Sequence, residues 1–187
     1  MTTEVPLARQ ALEDLLAAIG ADAPAPGAGA ASCAAAALGV ALLHKAIAVS
    51  QRHLDAPAVL DAPARRVAAL TERLLTAAAA DARLFAELLD PQRSLAPREA
   101  LQPLLDAAIA CRAARAVRAE IGPFIRAELR ADLQAAEALL GGAQAALHAI
   151  AQADLKALTA PEQARLAPLL DATGQIGDDE SAVGAAD

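Results

Sequence analysis

Apolar residues recur at intervals of three and four along most of the chain, which is the spacing of one face of an α-helix. This pattern predicts seven helical segments, over residues 4–19, 30–53, 64–89, 98–121, 124–140, 143–158 and 161–170. Gly122-Pro123 is expected to end the fourth segment, and Gly141-Gly142 to weaken or kink the join between the fifth and the sixth. We therefore expect an all-α bundle of six or seven helices.

The second predicted helix, over residues 30–53, is apolar on nearly every side as far as Leu43, so we expect it to be the most buried. The loop before it contains Pro26, Gly27 and Gly29. Glycine lets the backbone approach a ligand closely, and the free N–H groups at a helix start attract anions. The loop matches neither the dinucleotide fingerprint nor the P-loop, so a plain turn between packed helices is the simpler interpretation.

Alanine makes up roughly 30 % of the residues, far above its ordinary share, and the chain contains no Trp or Tyr. Alanine is the best helix former, and its small side chain lets helices approach closely. These features predict a single domain, with a helical bundle over residues 1–170 and a disordered tail over residues 171–187. Packing through small residues also leaves a long face for a partner, so we expect a homodimer.

The net charge of -7 and the scarcity of aromatic side chains argue against binding to nucleic acid. Cys33 and Cys111 lack a Cys-x-x-Cys partner and no secretory signal is visible, so we expect a cytoplasmic protein with reduced thiols. The apolar run over residues 30–43 is too short for a membrane span, so no membrane contact is expected. The three histidines lack a metal-ligand spacing, so no metal site is expected either.

One carboxylate stands where the third helix should bury an apolar residue. The apolar stripe of that helix runs through Val67, Leu70, Leu74, Ala78 and Phe85. Asp81 occupies the stripe between Ala78 and Phe85, where a charge is unfavourable unless it is paired or hydrogen-bonded. Such a carboxylate serves either acid–base chemistry or a structural hydrogen bond or ion pair. Asp132 and Asp154 lie at the edges of apolar stripes in later helices, where exposure to solvent is the simpler interpretation.

Four motifs follow one another along the chain. They are the loop Pro26-Gly27-Ala28-Gly29, an acid before a phenylalanine at Asp81 and Phe85, a second acid at Asp132, and a last motif from Ile150 to Asp154. Their order resembles the cyclodeaminase/cyclohydrolase family of folate one-carbon metabolism. That family has a Pro-Gly-Gly-Gly loop, an Asp shortly before a Phe, a Ser-Asp pair and an Asn-x-x-x-Asn-Leu helix. The resemblance spans about residues 7–158.

The resemblance implies a mostly helical subunit that dimerises, with a folate pocket between the subunits. It implies addition of water to, or loss of ammonia from, a one-carbon unit on tetrahydrofolate, which is the substrate. Asp81 and Asp132 are the catalytic acids that the resemblance implies. The substrate-binding residues that we expect are Pro26, Gly27, Gly29 and Asp154, which match the motifs, and Lys45, which does not.

Departures from the family's motifs leave a second interpretation open. Ala28 replaces the middle glycine of the loop, Ala48 stands where a polar group is expected, and Ile150 replaces the first asparagine of the last motif. Lys45 is new at its position and could pair with either acid. In an active enzyme, the two acids and the loop should face one open pocket. In a non-enzymatic binding or interaction module, Arg or Lys side chains should tie up the acids.

Overall fold

The computed structural model describes residues 12–88 and 97–174, and within these ranges it contains helices and turns but no strand. Six α-helices follow in order: α1 (Leu12–Ile19), α2 (Ala28–Gln51), α3 (Asp61–Leu88), α4 (Pro97–Ile121), α5 (Arg130–Lys156) and α6 (Ala160–Gly174). Short 3-10 turns lie at Pro57–Leu60, Gly122–Phe124 and Ala127–Leu129. The prediction of an all-α fold with six or seven helices is confirmed.

Helices α2 to α5 form an antiparallel ring in which each helix packs against two others, and α6 packs back against α4 and α5. Gln51 at the end of α2 donates to Asp61 at the start of α3, whereas Gly29 near the start of α2 lies against Asp81 near the end of α3. Antiparallel packing of sequential helices is the common topology of four-helix bundles with short connections.

Helix α2 is buried along one face only. That face packs on α3 and α5 through small and branched residues with no exposed surface, among them Ala36, Val40, Leu43 and Ile47. The opposite face carries Leu38, of which 54 % is exposed. Within one chain, α2 is therefore exposed along this face. Among the described residues, α2 is the one helix long and apolar enough to cross a membrane, a property that core helices of soluble proteins share.

The predicted break at Gly141-Gly142 does not occur, because α5 runs unbroken from Arg130 to Lys156. A glycine inside a helix costs about 1 kcal/mol relative to alanine. Leu140 and Leu147 flank the pair and are fully buried. Their packing against the core outweighs the weak helix propensity of the two glycines, so the fifth and sixth predicted segments are one helix.

The predicted start of the fifth helix at Phe124 is also wrong. The chain passes through two 3-10 turns before α5 begins at Arg130. Between these turns, the backbone N–H of Arg126 donates to Ser50 Oγ at 3.2 Å. This bond holds the connection between α4 and α5 against the end of α2, and α5 begins only after it.

The two ends of the chain are described only in part. Residues 4–11 of the predicted first helix and residues 175–187 of the predicted tail lie outside the described ranges. Helix α6 extends past its predicted end to Gly174, so the first residues of the predicted tail are helical. Gln144 of α5 donates to the carbonyl of Thr173 at 2.9 Å, which holds this last turn on the bundle.

Candidate functional site

The Asp81 carboxylate lies against the start of α2. It stands so close to Gly29 that a Cβ atom on that residue would come within 2.5 Å of both carboxylate oxygens. The backbone N–H of Ala30 donates a hydrogen bond to the carboxylate. The N-cap residue of α2, Gly27, makes no side-chain capping bond. Asp81 therefore supplies from α3 an acceptor for one of the free N–H groups at the start of α2.

The position of Asp81 follows from the apolar stripe of α3, with one correction. Ala78 is buried as expected, but the stripe continues through Leu84 rather than Phe85. Leu84 is 9 % exposed, whereas Phe85 is 46 % exposed. The one-residue difference leaves Asp81 on the core-facing side of the helix, where its half-buried carboxylate points at α2.

Two carboxyl groups at this end of the bundle have raised pKa values. Burial is the main cause of the raised pKa of Asp81, the hydrogen bond from Ala30 opposes it, and the negative charge of Asp154 adds to it. Partial loss of hydration also raises the pKa of Asp154. The two carboxylates thus lie close enough to interact, although Asp154 is exposed in the single chain. Among the described residues, neither of them forms an ion pair.

The cysteines near this cluster are protonated thiols. Cys33 and Cys111 are fully buried, and burial raises the pKa of each to about 12. The charge of Asp81 adds to the increase at Cys33. Because the thiolate is the nucleophilic form of cysteine, neither residue is suited to nucleophilic attack at neutral pH.

Lys45 and Asp132 form a second cluster. Their side chains make an ion pair of 2.9 Å, and they are 56 % and 25 % exposed, respectively. Lys45 follows Gly29 by 16 residues on the same helix, which is about 24 Å at 1.5 Å per residue. The structure therefore divides the predicted site residues into two groups at opposite ends of α2. In the single chain, Asp81 and Asp132 do not face one pocket.

The loop residues lie with the first group. Pro26 follows a cis peptide bond from Ala25, and Gly27 is the N-cap residue of α2 in an extended conformation. Both are half-buried at the end of the bundle where Asp81 lies. The structure thus brings Pro26, Gly27 and Gly29 together with Asp81.

A cavity of about 690 Å³ lies elsewhere, in a groove between α3 and α4. Its charged side chains largely satisfy one another, since Arg73 pairs with Asp106 and Arg83 pairs with Glu87. The groove contains neither Asp81 nor the loop before α2. Within the described residues, no group of three or more His, Cys, Asp or Glu side chains could hold a metal ion.

A family model described as formiminotransferase-cyclodeaminase matches residues 11–165. The chain belongs to this family. The crystal structure of formiminotetrahydrofolate cyclodeaminase from Thermotoga maritima shares the fold, with a TM-score of 0.66 and 16 % sequence identity. The match covers 88 % of this chain and 92 % of that one. A search of curated proteins finds no match. The family resemblance inferred from the motifs is confirmed.

Two features of this formiminotransferase-cyclodeaminase family member were not foreseen from the sequence. Gly29 was expected to expose backbone to a ligand, but here the missing side chain makes room for the Asp81 carboxylate. The sequence pattern did not reveal the exposed face of α2 around Leu38, because its residues are as apolar as those of the buried face. In a ring of four helices, each helix has one side that the other three do not cover. A helix that is apolar on every side therefore indicates an exposed apolar face.

Replacing Gly29 with alanine should displace the Asp81 carboxylate. The new Cβ would meet both carboxylate oxygens at 2.5 Å, so the bond to the Ala30 N–H would break. We expect a loss of about 1 kcal/mol in the free energy of unfolding, as for other lost caps, together with a loss of any activity that depends on Asp81. Denaturant unfolding and a turnover assay measure the two effects.

Gly141→Ala is the matched control, because Gly141 also lies inside a helix and a Cβ there would meet no atom within 4 Å. This variant should keep its activity, and its stability should not fall, since alanine is the better helix former by about 1 kcal/mol. Equal activities of the two variants would show that Gly29 does not position Asp81.

The pKa of Asp81 also predicts how stability depends on pH. Because the folded-state pKa is raised above 3.8, the folded protein binds the proton more tightly than the unfolded chain. This contribution favours folding at low pH and is lost as the pH rises through the raised pKa. Asp81→Asn lacks the titrating carboxyl group and so lacks this pH dependence. The Tm of the variant minus the Tm of the unaltered protein should therefore increase as the pH is raised from about 4. Thermal melts across this range test the sign, and a difference that falls with pH would contradict it.

Proposed function

We propose that this protein is a cytoplasmic, homodimeric folate enzyme that adds water to, or releases ammonia from, a one-carbon unit carried by tetrahydrofolate. The observation that carries the proposal is the half-buried Asp81 carboxylate, held at the start of α2 without an ion-pair partner among the described residues. Membership of the formiminotransferase-cyclodeaminase family supports this substrate class.

The chemistry requires a group that can give and take a proton beside the one-carbon unit. A carboxyl group whose pKa is raised by burial exchanges its proton closer to neutral pH than an exposed one, which suits it to general acid–base catalysis. In this proposal, Asp81 exchanges a proton with the attacking water or the departing amine, and Asp154 is the second acid at the same end of the bundle. The backbone at Pro26 and Gly27 borders the substrate.

One observation favours the alternative of a non-enzymatic binding or interaction module. The proposed catalytic acid Asp132 is tied to Lys45 at 2.9 Å. An ion pair of this kind, which neutralises the carboxylate, is expected in a family member that has lost its catalytic activity. In the favoured proposal, Asp132 and Lys45 reach the substrate only from the second subunit of the dimer, because they lie about 24 Å from the Asp81 end of α2 in their own chain.

Folate binding and turnover together test the proposal. Formimino- and methenyl-tetrahydrofolate are each added to the protein, and the Tm, ammonia release and loss of methenyl absorbance are followed. We expect a saturable rise in Tm and turnover of one of the two, with free glutamate as the control for general anion binding. Binding without turnover supports the module, and the absence of any binding contradicts the proposed enzyme.

A further inference from the structure

The groove between α3 and α4 has an apolar floor and a charged rim. Ala77 and Leu84 of α3 and Pro103 of α4 form the floor, and all three are buried. Ala80 beside them is half-buried, and its small side chain leaves the floor open. The volume of about 690 Å³ lies within the range of small-molecule sites, about 300–1,000 Å³. The proposed folate site does not use this groove, because Asp81 and the loop before α2 lie outside its lining.

The rim carries more carboxylates than cations. Its charged members are Glu72, Arg73, Arg83, Glu87, Glu99 and Asp106. Arg73 pairs with Asp106 on the opposite wall at 3.3 Å. Arg83 pairs with Glu87 of its own helix at 2.8 Å. Four carboxylates against two guanidinium groups give the lining an excess of two negative charges, and Glu72 forms no ion pair with any described residue.

The carboxylates of the two walls lie at separate levels along the groove. Glu72 is next to Arg73 in the sequence, so it lies close to the level of Asp106 on the facing helix. Glu99 precedes Asp106 by seven residues of α4, which is about 10 Å at 1.5 Å per residue. The groove therefore presents negative charge at two levels about 10 Å apart, with a neutral stretch between them.

Two neutral hydrogen-bond acceptors line that stretch. Thr76 follows Glu72 by one turn of α3, and Gln102 precedes Asp106 by one turn of α4. The Gln102 amide nitrogen donates to Asp106 at 3.1 Å, which leaves the amide oxygen as an acceptor. The Thr76 hydroxyl has no hydrogen bond to another described residue. An N–H donor in the middle of the groove therefore has acceptors on both walls.

We propose that this groove binds a linear aliphatic polyamine that has ammonium groups at its ends, about 10 Å apart, and a further amine between them. The end groups bind the carboxylates at the two levels, and the inner amine donates to Thr76 and Gln102. The methylene groups lie on the apolar floor. A triamine with nine bonds between its end nitrogens spans about 11 Å, at about 1.2 Å per bond as in an extended chain.

The geometry favours this occupant over a partner helix or a metal ion. A helix with its side chains is about 10 Å across. The ion pair between Arg73 and Asp106 joins the two walls and leaves no room for such a helix at that end. A metal ion needs ligands that converge on one point, and within the described residues no group of three or more His, Cys, Asp or Glu side chains does so. A slim chain with separated cations matches the separated carboxylates.

Calorimetric titration of the folate-free protein with spermidine, a triamine of this length, tests the proposal. We expect saturable binding of one molecule per chain. Butane-1,4-diamine has nitrogens only about 6 Å apart, so it reaches one level of carboxylates and should bind about tenfold more weakly. Equal affinities for the two amines, or displacement of spermidine by Mg²⁺ at constant ionic strength, would show general charge attraction and overturn the proposal.

Four variants locate the binding in the groove. Glu72→Gln should weaken spermidine binding about tenfold, through loss of one charge-assisted hydrogen bond. Glu13→Gln, the same change of charge at an exposed position of α1, should not. Ala80→Leu should fill the floor and abolish binding, whereas Ala86→Leu, exposed on α3 and outside the lining, should keep it. Equal binding within either pair of variants would overturn the proposal.

Two further measurements separate this site from other interpretations. Asp81→Asn should bind spermidine as the unaltered protein does, because Asp81 does not line the groove. The outcome is therefore independent of whether the protein turns over a folate. A lysine-rich peptide that binds more tightly than spermidine, and loses its affinity in Ala80→Leu, would assign the groove to a protein partner and overturn the proposal.

Discussion

Replacing Asp81 with asparagine should lower turnover of the folate substrate by about 10²–10⁴-fold, the range of general acid–base catalysis. Asparagine keeps an oxygen that can accept the hydrogen bond from the Ala30 N–H, so α2 retains its cap. The asparagine amide does not exchange a proton as an acid or a base near neutral pH. The free energy of unfolding should therefore change by less than about 1 kcal/mol. Steady-state kinetics and urea unfolding measure the two effects on the same preparation.

Asp55→Asn is the matched control, because this aspartate is exposed in the turn after α2, at the other end of the helix from Asp81. It should leave both activity and stability unchanged. Asp81→Ala removes the acceptor as well and should lose about a further 1 kcal/mol of stability. If Asp81→Asn keeps its turnover, the carboxylate serves only as the cap of α2, and the catalytic assignment is wrong.

Replacing Gly39 with valine should be among the most damaging single changes to the fold. A Cβ on Gly39 would lie 3.0 Å from Leu140 Cγ, 3.2 Å from the carbonyl oxygen of Ala136 and 3.3 Å from Leu139 Cβ. The carbonyl belongs to the backbone of α5 and cannot rotate away, so α2 and α5 must separate. We expect a loss of about 3 kcal/mol, the upper part of the range for overpacked cores. This corresponds to a fall of about 6–12 °C in Tm for a chain of this size.

Gly142→Val is the control for this change, because a Cβ at Gly142 meets no atom within 4 Å. Valine and glycine differ little in helix propensity, so the stability should change by less than about 0.5 kcal/mol. Similar losses for the two variants would mean that helix propensity, rather than the close approach of α2 and α5, determines the effect at Gly39.

Most of the fold could be predicted because helix periodicity and alanine content are local properties of the sequence. The errors occurred where packing overrides local preference. Gly141-Gly142 continues a helix because Leu140 and Leu147 are anchored in the core. The stripe on α3 was extended to Phe85 rather than Leu84, since both fit the spacing and only the neighbouring helices distinguish them.

The candidate site could be predicted residue by residue but not as an arrangement in space. The contact of Asp81 with Gly29 agrees with the expectation that the acid and the loop lie together. The separation of Asp132 from Asp81 could not be foreseen, because periodicity assigns a residue to a face and gives no position along the axis of the neighbouring helix. The antiparallel course of α2 and α5 sets that position and pairs Asp132 with Lys45.

The capping of α2 by Asp81 has a consequence for how relatives of this protein are compared. One carboxylate both accepts the Ala30 N–H and is the proposed proton carrier. A descendant that no longer processes folate would still be selected to keep an acceptor at this position, since the first turn of its central helix depends on it. Retention of an acceptor at position 81, and of the glycine at position 29 that makes room for it, therefore reports on folding as much as on catalysis. Replacement of the acid by asparagine, which keeps the cap and loses the exchangeable proton, would be the sign that catalysis has been abandoned.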